Sequence, residues 1–164
     1  MIPTAEPVAL RPTEEGDLGF VLGEEWNEEN RPYIGRWPRE RHLEALADGD
    51  AEHLILEHGG APAGYAILTG LHGPGGILCL KRLMVAEKGR GHGRAALRLI
   101  KDRAFGALGA HRLWLDVKEG NARARRLYEA EGFVREGVLR DSFWTGERHE
   151  SLVVMSILES EYGS

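Results

Sequence analysis

Apolar and polar positions alternate along this chain in short blocks, each bounded by Gly, Pro, Asn or Asp. Pro7 to Arg11 reads as a first strand. Thr13 and Asp17 are caps for a helix over 17–29, which Arg31-Pro32 breaks. Pro38 suits the first turn of a second helix that ends near Asp48-Gly49. His53 to Glu57 is a strand, His58-Gly59-Gly60-Ala61 a hairpin turn, and Ala63 to Thr69 the return. Gly70 to Gly76 turns into the apolar strand Ile77–Val85. After a glycine-rich loop, Leu97, Ile100, Ala104 and Leu108 recur on one helical face with Arg98, Lys101 and Arg103 away from it, and Gly109 ends the helix. Leu113 to Val117 is a strand, Asn121 opens a helix that stops near Gly132, and Phe133–Leu139 and Leu152–Ile157 are the last strands. The order β-α-α-β-β-β-α-β-α-β-β predicts an α/β fold: a mixed sheet with helices packed on its faces. With 164 residues and no repeat or linker, a single domain over 1–164 is expected.

Composition adds class and compartment. The chain is 42% hydrophobic and 29% charged, as in a soluble globular protein. No apolar run approaches the roughly 20 residues of a membrane span. The N-terminal Met-Ile-Pro-Thr-Ala-Glu-Pro carries no signal-peptide pattern, and Cys79 has no second cysteine to pair with, so a cytoplasmic protein is expected. The net charge of −5 is unevenly spread: residues 1–60 hold 14 Asp and Glu against 5 Arg, and the remainder 12 against 16 Lys and Arg. The acidic front suggests a cationic partner and the basic remainder an anionic one; the solvated-helix reading of the front is equally open. Dispersed basic residues and an acidic total argue against nucleic acid. The seven histidines show no metal-ligand spacing.

The most informative stretch is Val85-Ala-Glu-Lys-Gly-Arg-Gly-His-Gly-Arg-Ala95. Glycines at 89, 91 and 93 lie between a strand and a helix, so backbone N–H groups converge at the positive end of a helix dipole, where a phosphate or pyrophosphate is favoured. Lys88, Arg90 and Arg94 add positive charge. The Walker string is missing, and the dinucleotide fingerprint fails from either Gly89 or Gly91.

Lys88-x-x-Gly91-x-Gly93 resembles the acyl-CoA loop of the GNAT N-acetyltransferase superfamily, with Lys where Arg or Gln is usual. Asn121-Ala-Arg-Ala124-Arg-Arg-Leu127-Tyr128-Glu-Ala-Glu-Gly132-Phe133 resembles its later signature. Asn30-Arg-Pro-Tyr33-Ile, Trp37 and Arg112-Leu-Trp-Leu-Asp116-Val are similar to the branch of ribosomal-protein alanine acetyltransferases. The resemblance implies a GNAT-like fold of about seven strands and four helices, with a central parallel pair that splays apart. It also implies acetyl-CoA as co-substrate.

On this reading the amides from Arg90 to Ala95, including those of Gly91, His92, Gly93 and Arg94, meet the pyrophosphate, and glycine at 91 and 93 permits close approach. Leu83, Met84 and Val85 offer a strand edge to the pantetheine arm. The Val85 N–H becomes the oxyanion donor. Tyr128, seven residues after Asn121, keeps its proton at neutral pH because a phenol titrates near 10; it is the candidate general acid, and a core tyrosine is the alternative. Asn121 is both a candidate cofactor ligand and an N-cap.

Many members of the family carry a Glu base on the feeder strand; here Cys79 occupies that region, sharing a face by alternation with Lys81 and Leu83. Glu24, Glu25, Glu28 and Glu29 are substitutes, as is a water. Trp26, Glu28, Glu29, Tyr33 and Trp37 are the candidate acceptor lip, the rings holding a cation by their faces. The expected activity is acetyl transfer to a primary amine, whether a protein N-terminus, a polyamine or another small cationic amine, by direct attack on the thioester. A monomer or homodimer is expected. Two rivals remain: a non-catalytic acyl-CoA-binding module and a nucleotide-dependent transferase.

Overall fold

A computed structural model describes residues 7–163. Residues 1–6, on which the signal-peptide reading rests, and Ser164 lie outside the described residues. Seven strands form one sheet in the order β1-β2-β3-β4-β5-β7-β6. They are β1 (Val8–Pro12), β2 (Ala51–His58), β3 (Ala61–Thr69), β4 (Ile77–Val85), β5 (Arg112–Lys118), β6 (Val134–Trp144) and β7 (His149–Leu158). The helices are α1 (Leu18–Glu25), α2 (Arg39–Ala47), α3 (His92–Asp102) and α4 (Ala122–Ala130). All neighbouring strands are antiparallel except β4 and β5, so the expected mixed sheet with one parallel pair is present.

Alternation along each strand sends side chains to two cores. On one face Leu54, Leu68, Leu78, Leu80, Leu113, Leu115 and Met155 pack with Leu97 and Ile100 of α3, with Leu127 and Tyr128 of α4 beside them. On the other face Ile55, Tyr65, Ile67 and Met84 pack with Leu18 and Val21 of α1 and with Trp37. Emptying one of the fully buried leucine sites in such a core costs about 2–5 kcal/mol.

Two departures from the sequence reading shape the active site. The first helix stops at Glu25 instead of 29. The Asn30 side-chain amide donates to Glu24 O at 2.9 Å and Asn27 Oδ1 accepts from the Glu29 amide at 3.0 Å, so two asparagines offer the backbone local partners that a continuing helix would forgo. Successive turns follow, which place Glu28 and Glu29 outside any helix.

Strand β4 matches its expected span but not its expected alternation. The pairing with β3 slips between Leu80 and Arg82, leaving Lys81 as an extra residue. Leu78 and Leu80 face the α3–α4 core, while Arg82 and Met84 turn to the α1–α2 face. Leu83 therefore does not share a face with Cys79; it packs against the α3–α4 core.

Candidate active site

The parallel pair is joined over three residues only, Ile77–Cys79 with Arg112–Trp114. Beyond them β4 and β5 diverge, and a cleft of about 830 Å³ opens along the split. The register of β4 decides which main-chain groups face it. The Ala86 amide donates to Ala63 O at 2.8 Å, and Val85 stands opposite Gly64. In an antiparallel ladder this makes Val85 and Gly64 a non-hydrogen-bonded pair, so the N–H groups of Val85 and Leu83 point away from β3, into the gap. Gly64 is needed for that approach: a Cβ there would lie 2.3 Å from Met84 O and 3.1 Å from the Val85 Cα.

The glycine loop follows. Gly89 and Gly91 have φ of 80° and 77°, the left-handed region that glycine enters without cost. Gly91 is the N-cap of α3 and brings no side chain to it, so the leading amides of the helix keep their donors for another partner. Gly93 has a packing reason as well: a Cβ there would meet Leu127 Cδ2 at 3.2 Å, so it lets α3 and α4 pack closely at the cleft.

Most of the expected cofactor residues come together. Leu83, Met84, Val85, Lys88, Gly91, His92, Gly93, Arg94, Asn121 and Tyr128 line the cleft. Arg90 and Ala95 do not. The Arg90 guanidinium pairs with Glu87, and the Ala95 amide is already given to Gly91 O at 3.1 Å within the helix. Lys88 turns away from the helix terminus: its ammonium donates to Val85 O and to Asn30 Oδ1 at 3.1 Å, tying the loop to the α1–α2 connection. Burial lowers its pKa. Asn121 caps α4 by accepting from the Ala124 amide at 3.2 Å. Arg123, unmarked in the sequence, also lines the cleft, its Nη2 3.8 Å from where a Gly89 side chain would begin.

Tyr128 reaches the cleft from α4 with its ring against Phe133. Burial, with the Asp116 charge added, pushes its phenol up to about 12, so it is a proton donor throughout the neutral range. Burial also pushes the Cys79 thiol up to about 11, again with Asp116 contributing. Cys79 is therefore neither thiolate nucleophile nor base at neutral pH.

The acceptor side corrects the sequence reading further. Tyr33 and Trp37 line the cleft; Trp26, Glu28 and Glu29 do not. Trp26 is 61% exposed and its ring is covered by the Arg36 guanidinium at 4.2 Å. Glu28 pairs with Arg36 at 3.1 Å and Arg31 at 3.8 Å. The rings do hold cations, but the protein's own: Arg41 lies 3.9 Å and Arg82 4.5 Å from the Trp37 centroid. Much of the acidic front is likewise spent internally, Asp17 and Glu57 on Arg11 and Glu52 on Arg103.

Glu25 is completely buried beneath the acceptor side. It accepts from His42 Nε2 and from the Tyr65 hydroxyl, both at 2.8 Å, and from Arg82 Nη2 at 2.5 Å. Burial alone would raise its pKa; the hydrogen bonds and the Arg82 charge outweigh that and hold it below the usual carboxylate range. With both oxygens engaged, it has no free lone pair directed at a substrate. The chain continues inward: His42 Nδ1 lies 3.0 Å from His53 Nε2, and His53 Nδ1 lies 2.8 Å from Thr13 Oγ1. Neutral rings satisfy all three bonds when Thr13 donates to His53, His53 to His42, and His42 to Glu25. Arg82, the second of two adjacent cations in an otherwise apolar strand, is the sequence signal that calls for such a buried counter-ion.

The described cleft thus has an uncapped helix terminus, an open strand edge, a main-chain donor at the split and a protonated phenol nearby. Comparison with known proteins identifies the family. Residues 22–133 match the Acetyltransferase (GNAT) family model. A spermidine N(1)-acetyltransferase of Vibrio cholerae is 36% identical over 76 residues, a match spanning 46% of this chain and 44% of that protein. The Escherichia coli K12 enzyme of the same name is 26% identical over 169 residues, covering 98% of this chain and 91% of the relative. The crystal structure of Vibrio cholerae spermidine N-acetyltransferase in complex with CoA and spermine superposes with a TM-score of 0.86 at 25% identity, over 96% of this chain and 98% of that one. These relatives establish the superfamily and not the ribosomal-protein alanine branch that the wording around Asn30–Ile34 resembles. The chain belongs to the GNAT acetyltransferase family and is an acetyl-CoA-dependent N-acetyltransferase of primary amines.

Proposed function

We propose that this chain acetylates a small primary amine by direct attack on the thioester, with the Val85 N–H as oxyanion donor and Tyr128 as general acid. The observation that carries this is the split itself: pairing of β4 with β5 stops at Cys79–Trp114, and the Val85 amide points into the gap that Tyr128 also lines. The left-handed Gly91 turn, the uncapped start of α3, and Arg94 and Arg123 suit the coenzyme's phosphates. Acetyl-CoA supplies an acetyl group activated as a thioester.

Everything else is done by the chain. The Val85 N–H donates to the carbonyl oxygen as it gains negative charge, and the effect is large because the donor is fixed before the reaction begins. The amine nitrogen bonds to the acetyl carbon, the carbon–sulfur bond breaks, and the thiolate takes the Tyr128 proton. The amine's surplus proton passes to water in the cleft. A polyamine is the acceptor that the named relatives suggest.

Thiol release from acetyl-CoA by the purified protein, measured with a panel of primary amines, tests the reading. Turnover with at least one amine is expected. Tight acetyl-CoA binding with no turnover across the panel would leave the chain as a binding module.

A further inference from the structure

The charges on the acceptor wall do not suit a polycation. That wall is the α1–α2 face of the split, where Arg41, Lys81, Arg82 and Lys118 line the cleft. Arg82 is neutralised by Glu25, and Lys118 lies 3.6 Å from Glu150. Arg41 and Lys81 have no carboxylate partner among the described residues. Arg41 is held in place by the Trp37 ring at 3.9 Å, and Trp37 is only 9% exposed, so this guanidinium is mounted on a rigid wall. Lys81 is the extra residue of the β4 bulge, a position that re-aims a side chain.

Two carboxylates line the cleft among the described residues, Glu87 and Asp116. Glu87 pairs with Arg90 in the glycine loop. Asp116 lines the cleft from β5 with no ion-pair partner among the described residues; burial raises the pKa of Tyr128 and of Cys79, and the Asp116 charge adds to both, opposed at Cys79 by Lys81. A spermidine cation entering here would meet one carboxylate and two unpaired cations. Like charges brought together across an interface work against binding. A zwitterion meets one partner for each of its ends.

Resting on the acetyltransferase reading above, we propose that the acceptor is an amine that also carries a carboxylate, an amino acid or a close relative of one: Asp116 receives the amine beside Tyr128, and Arg41 with Lys81 bind the carboxylate.

The test compares α- and ω-amino acids, each beside its own carboxamide, and spermidine, with kcat and KM measured for the wild type and for the Arg41→Gln/Lys81→Gln double variant. The best amino acid is expected to exceed both its carboxamide and spermidine by at least tenfold in kcat/KM. In the double variant that acid-to-amide ratio falls towards one, chiefly through KM, while the melting temperature and the acetyl-CoA affinity report that the protein is folded. Arg41→Lys restores part of the ratio. Spermidine as the best acceptor, a ratio near one in the wild type, or a ratio that survives the double variant would each overturn the proposal while leaving the acetyltransferase intact. Acetyl-CoA binding with no amine of any kind turned over would overturn the acetyltransferase reading, and this proposal with it.

Discussion

Arg82 of β4 donates to the buried Glu25 carboxylate of α1 at 2.5 Å, across 57 residues of sequence. The contact fastens the acceptor wall to the sheet, because the same guanidinium also donates to Gly35 O in the α1–α2 connection. Breaking a buried pair by removing one partner costs about 3–5 kcal/mol, since the other charge is left uncompensated. Glu25→Ala is expected to lose about that much in urea unfolding. Glu25→Gln keeps a single acceptor oxygen, which serves either His42 or the Tyr65 and Arg82 side but not both, and loses less.

Tyr128→Phe tests the acid. The phenol has no hydrogen-bond partner among the described residues, so the fold loses little. Turnover is expected to fall by about 100-fold or more while the acetyl-CoA Kd is unchanged by calorimetry. With the phenol pushed up to about 12, the wild-type pH–rate profile carries no alkaline limb from Tyr128 below about pH 11.

Gly91→Glu places a side chain at φ 77° and a negative charge at the start of α3. Repulsion of the diphosphate is worth several kcal/mol, so calorimetric affinity for acetyl-CoA is expected to drop by about 100-fold or more.

Gly64→Ala tests the placement of the oxyanion donor from a position outside the cleft. Its Cβ would start 2.3 Å from Met84 O, so β3 must retreat from the end of β4. Overpacking of this kind costs about 1–3 kcal/mol. A displacement of the donor by about 1 Å costs on the order of 100-fold in rate. The expected result is a lower melting temperature together with a fall in kcat larger than the change in acetyl-CoA affinity.

His53 gives the fold a pH dependence. Burial, with the Arg82 charge added, lowers its pKa to about 4 from an ordinary 6.5. The unfolded chain therefore takes up its proton first as pH falls. Stability from this group is complete above about 6.5 and is lost progressively down to about 4, by roughly 3 kcal/mol in total. Urea unfolding at pH 7 and pH 4.5 measures it, and His53→Gln flattens the difference.

The fold was legible where local rules act alone. The Ile77–Val85 strand, the four-residue apolar face from Leu97 and the Asn121 cap all depend on near neighbours in sequence, and the structure has them. Most of the residues expected to hold the cofactor line one cleft, since consecutive elements, β4, the glycine loop and α3, bring them there together with α4. The acceptor half was not legible. It depends on the slip at Lys81, which reverses the faces of Arg82 and Met84, and on where α1 ends. Neither has a composition signature. The charge of the acidic front is no guide to the acceptor half by itself, because arginines neutralise much of it.

Because the seam closes only Ile77–Cys79 with Arg112–Trp114, the proposed oxyanion donor is a peptide group instead of a side chain. Substitutions around the opening therefore leave that donor in place, provided Gly64 still admits β4. Selection is free to exchange Arg41, Lys81 or Asp116 one at a time and so redirect the enzyme to new amines, without rebuilding the chemistry at each step.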